Sequence, residues 1–349
     1  MRAVPTMIQI DGSQGEGGGQ VVRTSLTWAI LLQRPVRLVN MRANRDPPGL
    51  RPQHMAAVRA AAAVCGADVS SAHVGSRTLE FRPGPVQPGR HSIDIGTAGS
   101  TGLVLQTIAL PLAASGRESE IRITGGTHNP LAPSFDYLEY VWTWWLRRIG
   151  IPIEVTMHRA GFFPKGGGCI TCWIGAGAPA ETWRPLRVTD RGSLLRVSGR
   201  SCVANLPESI AQRQRSAALR DLGGAGLSAT IDVTAVPSPG QGTTCFLGLE
   251  FERSRAGFFG LGARGKRAEV VGAEAADQAI EFVRRPGSVD PFAADQLMVV
   301  LARVSASSCF STTRLTRHAQ TNAAVIRQMA GRELHMDGAL DEPGRITIE

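Results

Sequence analysis

The alternation of hydrophobic and polar positions follows one order three times along the chain. Each time, an apolar segment with helical spacing is followed by a short strand, a polar loop and a second helix. The predicted helices span 20–32 and 53–66, then 103–114 and 134–150, and finally 292–304 and 320–331. Paired strands that alternate with two helices predict βαβαββ units, in which both helices cover one face of a sheet.

A glutamine in the first helix of each unit gives the repeat its register. Gln20, Gln106 and Gln296 are separated by unequal intervals (106 − 20 = 86 and 296 − 106 = 190), so the second interval is 104 residues longer. An insertion of about one small domain in the third unit accounts for this excess. Strand patterns near 194–204, 229–235 and 243–251, with helical patterns over 208–223 and 273–285, predict a compact α+β unit there.

The sequence therefore predicts an α+β fold with three βαβαββ repeats, each a four-stranded sheet with two helices, and a smaller α+β domain inserted in the third. Residues 7–184 and 287–349 would form the large domain, and residues 185–286 the inserted one. Several helix ends are marked by local chemistry. Asp290-Pro291 supplies an N-cap and a first-turn proline, and Gly150 and Gly331 follow predicted helix ends.

Composition and charge place the chain among globular proteins. Hydrophobic residues make up 43% and charged residues 19%, and no run of about 18 apolar residues could span a membrane. The formal net charge is +9, and nearly all cations are arginines because lysine occurs only at Lys165 and Lys266. Arginine suits bidentate phosphate contacts, but a GC-rich genome explains its abundance equally well, so charge alone does not identify a nucleic-acid partner.

The cysteines indicate a reducing compartment. Cys169 and Cys172 form a CxxC motif, but they lie in an alternating segment that is typical of a strand, and no second Cys or His pair follows at zinc-finger spacing. Two free thiols are therefore favoured over a metal or redox site. With no segment at the N-terminus that is typical of a signal peptide, the expected location is the cytoplasm.

Two loops of the first unit could bind anions or cations. The segment DGSQGEGGGQ at 11–20 would let backbone N–H groups approach an anion, and Glu16 is its only carboxylate besides Asp11 at its start. Glu16 could bind Mg²⁺ or Mn²⁺, or it could be a solvated residue of a tight turn. Arginines around the next loop, together with a following Gln and His, could form a phosphate clamp or a solvated basic face. These residues are Arg23, Arg42, Arg45, Arg51, Gln53 and His54.

Two later loops carry histidines. The segment GGTHNPLAP at 125–133 could hold a ligand ring, although turn formation also explains it, and His128 fits a polar loop residue better than a metal ligand. The segment STTRLTRHAQTN at 311–322 places His318 in a predicted polar loop just before the third unit's second helix. A neutral histidine there is a competent nucleophile.

Taken together, these segments resemble the RNA 3′-terminal phosphate cyclases. The matching pieces occur in family order: DGSQGEGGGQVVRTSL at 11–26, RANRDPPGLRPQH at 42–54, GTAGSTGLVLQT at 96–107, GGTHNPLAP at 125–133, GFFPKGGG at 161–168, ADQL at 294–297 and HAQTNAAV at 318–325. The family fold also consists of three βαβαββ units with a small insertion in the third. The resemblance implies ATP-dependent conversion of an RNA 3′-phosphate to a 2′,3′-cyclic phosphate through an adenylyl-histidine and an RNA-(3′)pp(5′)A intermediate.

The resemblance also implies roles for individual residues. His318 matches the nucleophile, and Glu16 matches a metal-binding acid that would hold Mg²⁺ or Mn²⁺. The residues that match the cluster around the reacting phosphates are Gln20, Arg23, Arg42, Arg45, Gln53 and His54. The residues that match the ATP adenosine pocket are Gln106, Pro133, Phe292, Asp295 and Gln296. The expected partners are ATP and an RNA with a 3′-terminal phosphate, without a membrane; a homodimer is left open.

The chain departs from the family pattern at two places. Phe292 stands where tyrosine is frequent, so a ring is kept and a hydroxyl is lost. Before His318 the chain reads Leu315-Thr316-Arg317, where many members read Pro-Ser-Cys, which puts the local loop shape in question. Arg317 could lower the pKa of the histidine or contact a phosphate.

Three other interpretations share parts of this pattern. Cyclase-like ribosome-assembly proteins have the same fold but lack the histidine, so His318 and Glu16 argue against a binding factor. Enolpyruvyl transferases contain six βαβαββ units, whereas this chain shows three and an insertion. A 5′-end adenylylating or ligase-like activity would use the same His318 and remains open as a side reaction.

Overall fold

The computed structural model describes residues 6–349 and contains four four-stranded mixed sheets. The first unit consists of β1 (Ile8–Asp11), α1 (Gly19–Leu32), β2 (Val36–Val39), α2 (Pro52–Ala63), β3 (Asp68–Ser70) and β4 (Leu79–Arg82). The second consists of β5 (Gly89–Asp94), α3 (Thr101–Ala114), β6 (Ser119–Gly125), α4 (Phe135–Tyr137), a π-helical stretch (Leu138–Trp142), α5 (Thr143–Ile149), β7 (Ile153–Arg159) and β8 (Gly168–Ile174).

A short 3₁₀ helix (Ala180–Thr182) leads into the remaining elements. After β9 (Arg187–Val188) the chain forms β10 (Leu194–Ala204), α6 (Glu208–Gly224), β11 (Ala229–Ala235), β12 (Gly242–Phe251), β13 (Arg255–Leu261) and α7 (Ala268–Arg284). It then continues through α8 (Pro291–Leu301), β14 (Ser308–Thr312), α9 (Arg317–Ala330), β15 (Leu334–Asp337) and β16 (Gly344–Ile348).

Three of the sheets have the same topology. Their strand orders are β1-β2-β4-β3, β5-β6-β8-β7 and β9-β14-β16-β15. In each sheet the first pair is parallel and the other two pairs are antiparallel. The fourth sheet, β11-β10-β12-β13, is formed by the segment between β9 and α8. This architecture confirms the predicted α+β class.

Strand β9 lies within the segment 185–286 that the sequence assigned to the insertion. It pairs with β14 through Arg187 and Val188, so it belongs to the third of the matching sheets. The separate fourth sheet begins only at Leu194. The division of the chain into domains at 184/185 and 286/287 stays a prediction.

The local signals at helix ends are confirmed. The Asp290 side chain accepts hydrogen bonds from the backbone N–H groups of Phe292 and Ala293 at the start of α8, both at 2.9 Å. Gly150 and Gly331 follow α5 and α9 in the left-handed conformation. The expected loop position of His318 is wrong, because α9 begins at Arg317, with Thr316 as its N-cap, and His318 lies in its first turn.

The glutamine register was correct for two of the three helices. Gln106 precedes the start of β6 by 13 residues (119 − 106), and Gln296 precedes β14 by 12 (308 − 296). The position in α1 that precedes β2 by 12 residues is Thr24 (36 − 24), so Gln20 lies about one helical turn too early. All three glutamines nevertheless face one cavity.

The hydrophobic core positions this cavity. One large buried cluster joins all three matching sheets to their helices, and a second lies between the fourth sheet and helices α6 and α7. Helix α1 is central because it packs against α2, α3 and α9. Within residues 6–349, no helix combines the length and apolarity that crossing a membrane requires. Cys169 and Cys172 lie in strand β8 as buried free thiols.

Candidate active site

A cavity of about 560 Å³ lies where helices from all three matching units meet. Nine of the thirteen residues to which the family resemblance assigns a role line it: Glu16, Gln20, Arg23, Gln106, Pro133, Phe292, Asp295, Gln296 and His318. The other four, which are Arg42, Arg45, Gln53 and His54, do not line it. The cavity therefore joins the matched nucleophile, the matched acid and the whole matched adenosine pocket.

His318 and Glu16 form a contact between the two ends of the chain. The imidazole Nδ1 lies 2.8 Å from Glu16 Oε2, and the Glu16 and His318 side chains are 24% and 53% exposed. A carboxylate this close to Nδ1 favours a hydrogen on that nitrogen, which leaves the lone pair of the neutral ring on Nε2. The contact thus favours Nε2 as the nucleophilic atom.

The glycine-rich loop is seated against helix α9. The Glu16 backbone N–H donates to Thr321 Oγ1 at 3.3 Å, one turn beyond His318. A Cβ at Gly15 would clash with the Thr321 hydroxyl, and Gly15 has a φ of +58°. Only glycine meets both conditions without strain, so the loop composition brings Glu16 to His318.

Polar side chains connect α1, α8 and α9 behind the histidine. Arg23 Nη2 donates to Gln20 Oε1 at 2.8 Å, and Gln20 Nε2 donates to Asn322 Oδ1 at 3.1 Å. Asn322 Nδ2 in turn donates to the Asp295 carbonyl oxygen at 2.9 Å. Burial lowers the pKa of Arg23 to about 10, and the nearby Asp295 carboxylate acts in the opposite direction. Arg23, which is partly exposed and lines the cavity, remains a cation at neutral pH.

Two buried aspartates lie at the start and middle of α8. Tyr137 donates its hydroxyl to Asp290 Oδ1 at 2.8 Å. Burial raises the pKa of Asp290 and of Asp295 to about 7 each, and Arg23 lowers that of Asp295 in part. Asp295 Oδ1 is a buried oxygen without a hydrogen-bond partner among the described residues. Buried polar atoms are nearly always paired, so this oxygen fits a donor supplied by a ligand.

The residues matched to the adenosine pocket all belong to the cavity lining. Gln106 Nε2 donates to Gln296 Oε1 at 2.6 Å, which joins α3 to α8. Pro133 and the half-exposed Phe292 supply apolar surface, and Phe292 packs edge-on against Tyr137. Leu131 lies at the same rim with its side chain fully exposed. An apolar cleft with a few converging polar atoms is the usual form of a small-molecule site.

The basic loop lies beside the cavity rather than in its lining. Arg45 Nη2 lies 3.7 Å from Glu16 Oε2, so it approaches the His318 contact from outside. Arg42 instead donates within its own loop, to the carbonyl oxygens of Gly49 at 3.0 Å and Pro47 at 3.4 Å. Gln53 is exposed at the start of α2.

His54 is a neutral buried side chain. It is 2% exposed, and burial, with Arg23, Arg42 and Arg51 in addition, lowers its pKa to about 3. Its Nδ1 accepts a hydrogen bond from the Arg51 backbone at 3.0 Å. Because Nδ1 accepts, the hydrogen of the neutral ring lies on Nε2, so His54 can donate a hydrogen bond without carrying a charge.

The His128 loop turned out differently from the expectation of a polar loop residue. His128 is fully buried, and its Nε2 lies 3.1 Å from Asp136 Oδ2. Asp136 Oδ1 accepts from Arg200 of β10 at 3.1 Å. This loop therefore ties the second unit to the fourth sheet, while its end, Leu131 to Pro133, lines the cavity.

Sequence reasoning missed several lining residues. Arg314 and Thr316 lie in the same segment as His318, and Tyr137 and Leu131 come from the second unit. The arginine was visible as a further cation near His318. No local pattern marked Tyr137, whose partner Asp290 is distant in sequence.

A metal ion would need help from a substrate at this site. Among residues 6–349, no group of three or more His, Cys, Asp or Glu side chains is placed to hold one. Mg²⁺ commonly binds through one or two carboxylates together with substrate phosphates and water. Glu16 fits that role, since its carboxylate is partly exposed and the residue lines the cavity.

Comparisons with known proteins identify the family of the chain. The family model described as RNA 3′-terminal phosphate cyclase matches residues 14–336. Proteins named RNA 3′-terminal phosphate cyclase are similar along nearly the whole chain. That of Methylococcus capsulatus is 40% identical, covering 92% of this chain and 90% of its own, and that of Pyrococcus abyssi is 39% identical, covering 98% of each. That of Thermococcus onnurineus is 40% identical, covering 98% of this chain and 99% of its own.

One solved structure, the enolpyruvyl transferase NikO from Streptomyces tendae, is 17% identical with a TM-score of 0.27, covering 50% of this chain and 33% of its own. That score is too low to bear on fold or activity. The family match and the near-complete coverage at about 40% identity lead to one conclusion. The chain belongs to the RNA 3′-terminal phosphate cyclase family.

Proposed function

We propose that this protein converts the 3′-terminal phosphate of RNA to a 2′,3′-cyclic phosphate, with ATP as second substrate and an adenylyl group carried on His318. The observation that carries the proposal is the Glu16–His318 contact of 2.8 Å in the same cavity that the residues matched to the adenosine pocket line. Family membership supplies the substrate class.

The RNA 3′-phosphate has to be activated before its ring can close. A phosphate monoester dianion repels a nucleophile, and its oxygen is a poor leaving group. Joining it to AMP makes the departing group a stable AMP anion. The vicinal 2′-hydroxyl can then attack the phosphorus and close the ring, because both groups are on one ribose and need no further encounter.

His318 would carry AMP between two phosphates. In the first step Nε2 attacks the α-phosphorus of ATP, a P–N bond forms, and the P–O bond to pyrophosphate breaks. In the second, an oxygen of the RNA 3′-phosphate attacks the same phosphorus and displaces the imidazole. In the third, the 2′-oxygen attacks the RNA phosphorus, loses its proton, and AMP leaves. Glu16 keeps the Nδ1 hydrogen in place, so that Nε2 presents its lone pair.

Charge on the phosphates would be met by arginines and a cation. Arg23, Arg314 and Arg317 line the cavity, and Arg45 approaches Glu16 from outside. Glu16, with substrate phosphate oxygens, would hold Mg²⁺ or Mn²⁺, which when bound would offset negative charge on the reacting phosphates.

The ATP base and ribose would occupy the apolar side. Pro133 and Phe292 offer apolar surface to a purine, and the Gln106–Gln296 pair offers amide hydrogen-bonding groups. The unpartnered Oδ1 of Asp295 would accept a hydrogen bond from a ribose hydroxyl. A cytoplasmic location fits this reaction, because ATP and RNA ends occur in a reducing compartment where free thiols persist.

Labelling with α-³²P-ATP tests the proposal. In the presence of Mg²⁺ or Mn²⁺, wild-type protein should acquire an acid-labile, alkali-stable label, and His318→Ala should not. Added 3′-phosphorylated RNA should remove the label and yield a cyclic end that resists phosphatase. A wild-type protein that takes no label would refute the enzyme and favour a binding factor of the same fold.

A further inference from the structure

We propose that the turn Phe163-Pro164-Lys165 binds the RNA strand upstream of its 3′-phosphate, with Phe163 stacked on a base and Lys165 beside a backbone phosphate. This inference rests on the proposed RNA substrate. It concerns the segment GFFPKGGG at 161–168, which follows β7 and contributes nothing to the cavity lining.

The two adjacent phenylalanines of this segment differ in their environments. Phe162 is buried and stacks on His128 with ring centroids 4.9 Å apart. Phe163 is 67% exposed, and Lys165 is exposed beside it. The Gly166 N–H donates to the Phe162 carbonyl at 2.7 Å, which closes the turn and directs residues 163–165 outward.

Two glycines allow this turn to pack closely against Ala98 and Pro239. A Cβ at Gly166 would lie 2.7 Å from Ala98 Cα, and Gly166 has a φ of +64°. A Cβ at Gly167 would lie 3.0 Å from Pro239 Cγ. A single exposed aromatic side chain is ordinary on protein surfaces. Here, however, it is presented on a closely packed turn, which lowers the entropy cost of stacking on it.

Positive charge accompanies the exposed ring. The other lysine of the chain, Lys266, is paired with Glu274, whereas the described residues give Lys165 no carboxylate within salt-bridge distance. Arg159 lies under the turn, where its Nε donates to the Gly167 carbonyl at 2.8 Å. Residues 158–168 contain no acid. Protein surfaces that bind single-stranded nucleic acids usually combine an exposed aromatic ring, which stacks on a base, with cations that contact the backbone phosphates.

The turn is continuous with the candidate active site. Gly166 packs against Ala98, and the next residue, Gly99, would place a Cβ 3.3 Å from Cβ of Gln53. Gln53 lies in the first turn of α2 and is one of the residues matched to the cluster around the reacting phosphates. Exposed Gln53 and Thr97 therefore bridge the surface between the basic loop and the turn. An RNA whose end reaches His318 can extend along this surface.

The primary test is equilibrium binding of a fluorescent ten-nucleotide 3′-hydroxyl RNA, about the site size of single-stranded modules. Phe163→Ala should raise the Kd about 10-fold and Phe163→Trp should restore it. Lys165→Ala should lower the slope of log Kd against log salt by about 0.7, the value for one phosphate of a single strand. Leu195→Ala, which truncates another exposed apolar side chain, is the matched control and should leave Kd unchanged.

A second readout separates this inference from the proposed reaction. With 3′-phosphorylated substrates, Phe163→Ala should raise KM for the ten-nucleotide RNA and leave kcat and the kinetics of a dinucleotide nearly unaltered. Equal effects on both lengths, or a Kd equal to that of wild type, would overturn the inference. If wild-type protein takes no label from ATP, the reaction fails instead, and the binding experiment still decides the role of the turn.

Discussion

Nδ1 of His318 lies 2.8 Å from Oε2 of Glu16, although the two residues come from opposite ends of the chain. The contact depends on two local features: the close approach of Gly15 to Thr321 and the start of α9 at Arg317. The close approach of Gly15 to Thr321 positions the Glu16 carboxylate, and the start of α9 positions the His318 ring. We therefore expect Glu16 to position the His318 ring, in addition to the proposed role with a cation.

Replacing the acid tests this positioning role. Glu16→Gln keeps the size of the side chain but removes the charge that stabilises the Nδ1 hydrogen, and the amide can present N–H to the ring in place of oxygen. We expect protein adenylylation to slow by about 10-fold or more, as when other histidines lose an orienting carboxylate. The rate of label uptake from ATP at saturating metal ion measures it; a rate equal to that of wild type would show that the contact has no role in the chemistry.

The two arginines of the basic loop should behave differently. Arg45 approaches Glu16 at 3.7 Å, whereas Arg42 donates to the carbonyls of its own loop. Arg45→Ala should lower kcat/KM for RNA cyclisation by about 10-fold, the loss expected for one charge-assisted contact. Arg42→Ala should mainly lower Tm.

The double variant provides the control for these arginines. Label transfer from ATP to His318 is expected to persist in Arg42→Ala/Arg45→Ala while cyclisation falls. Unchanged cyclisation would show that this loop does not bind the RNA phosphate.

Gly19 is predicted to be essential for the arrangement of His54 and Arg23. A Cβ at Gly19 would clash with the His54 imidazole and lie 2.9 Å from Arg23 Nη1. Gly19→Ala should therefore cost about 1–3 kcal/mol of unfolding free energy, as overpacking does elsewhere. Chemical denaturation measures it.

The neighbouring glycine is a matched control. A Cβ at Gly18 would meet nothing within 4 Å, so Gly18→Ala should be nearly neutral. Adding His54→Ala to Gly19→Ala should recover part of the loss, because the clash is with that ring. An additive double variant would contradict this explanation.

The repeats could be predicted from the sequence because each unit carries its own hydrophobic period and its own capping residues. The start of α9 could not, since Arg317 and His318 are polar and partly exposed, so the first turn adds nothing to the hydrophobic pattern. Thr316 was the available signal, as its hydroxyl caps the helix at Ala319.

Local sequence patterns could not predict which site residues come into contact in the folded protein. The sequence placed Gln106 and Gln296 in helices, but their 2.6 Å contact depends on how two units pack. The same holds for Tyr137 and Asp290, which join the second and third units. The family resemblance named nine residues of the cavity lining, yet it gave no indication that Arg42 bonds to its own loop or that His54 is buried and neutral.

Leu131 is predicted to be strained in the free protein. It has a φ of +59° and a fully exposed side chain at the cavity rim. The left-handed conformation costs a residue with a Cβ about 1–2 kcal/mol, and part of this is offset by the greater freedom of glycine when unfolded. Leu131→Gly should therefore raise the stability by up to about 1 kcal/mol, measured by thermal unfolding.

Alanine at the same position separates backbone strain from the side chain. Leu131→Ala keeps the Cβ and the strain, so its stability should stay near that of wild type. Equal gains in the two variants would attribute the effect to the exposed leucine side chain instead.

The buried carboxyl of Asp295 should make stability depend on pH. Burial raises its pKa from 3.8 to about 7, so the folded protein keeps a proton that the unfolded chain releases. This contribution to stability is fully present below about pH 4 and is lost as pH rises towards 7. Asp290 titrates in the same direction and its charge helps to raise the pKa of Asp295, so the difference between wild type and Asp295→Asn reports Asp295 together with its coupling to Asp290. Without nucleotide, wild type should lose stability relative to Asp295→Asn by on the order of 2 kcal/mol between about pH 5 and about pH 8, measured by urea unfolding.

Asp277→Asn, which removes an exposed carboxyl on α7, should show no such trend. A difference that stays constant with pH would mean that Asp295 is ionised throughout, with Arg23 as a sufficient counter-ion.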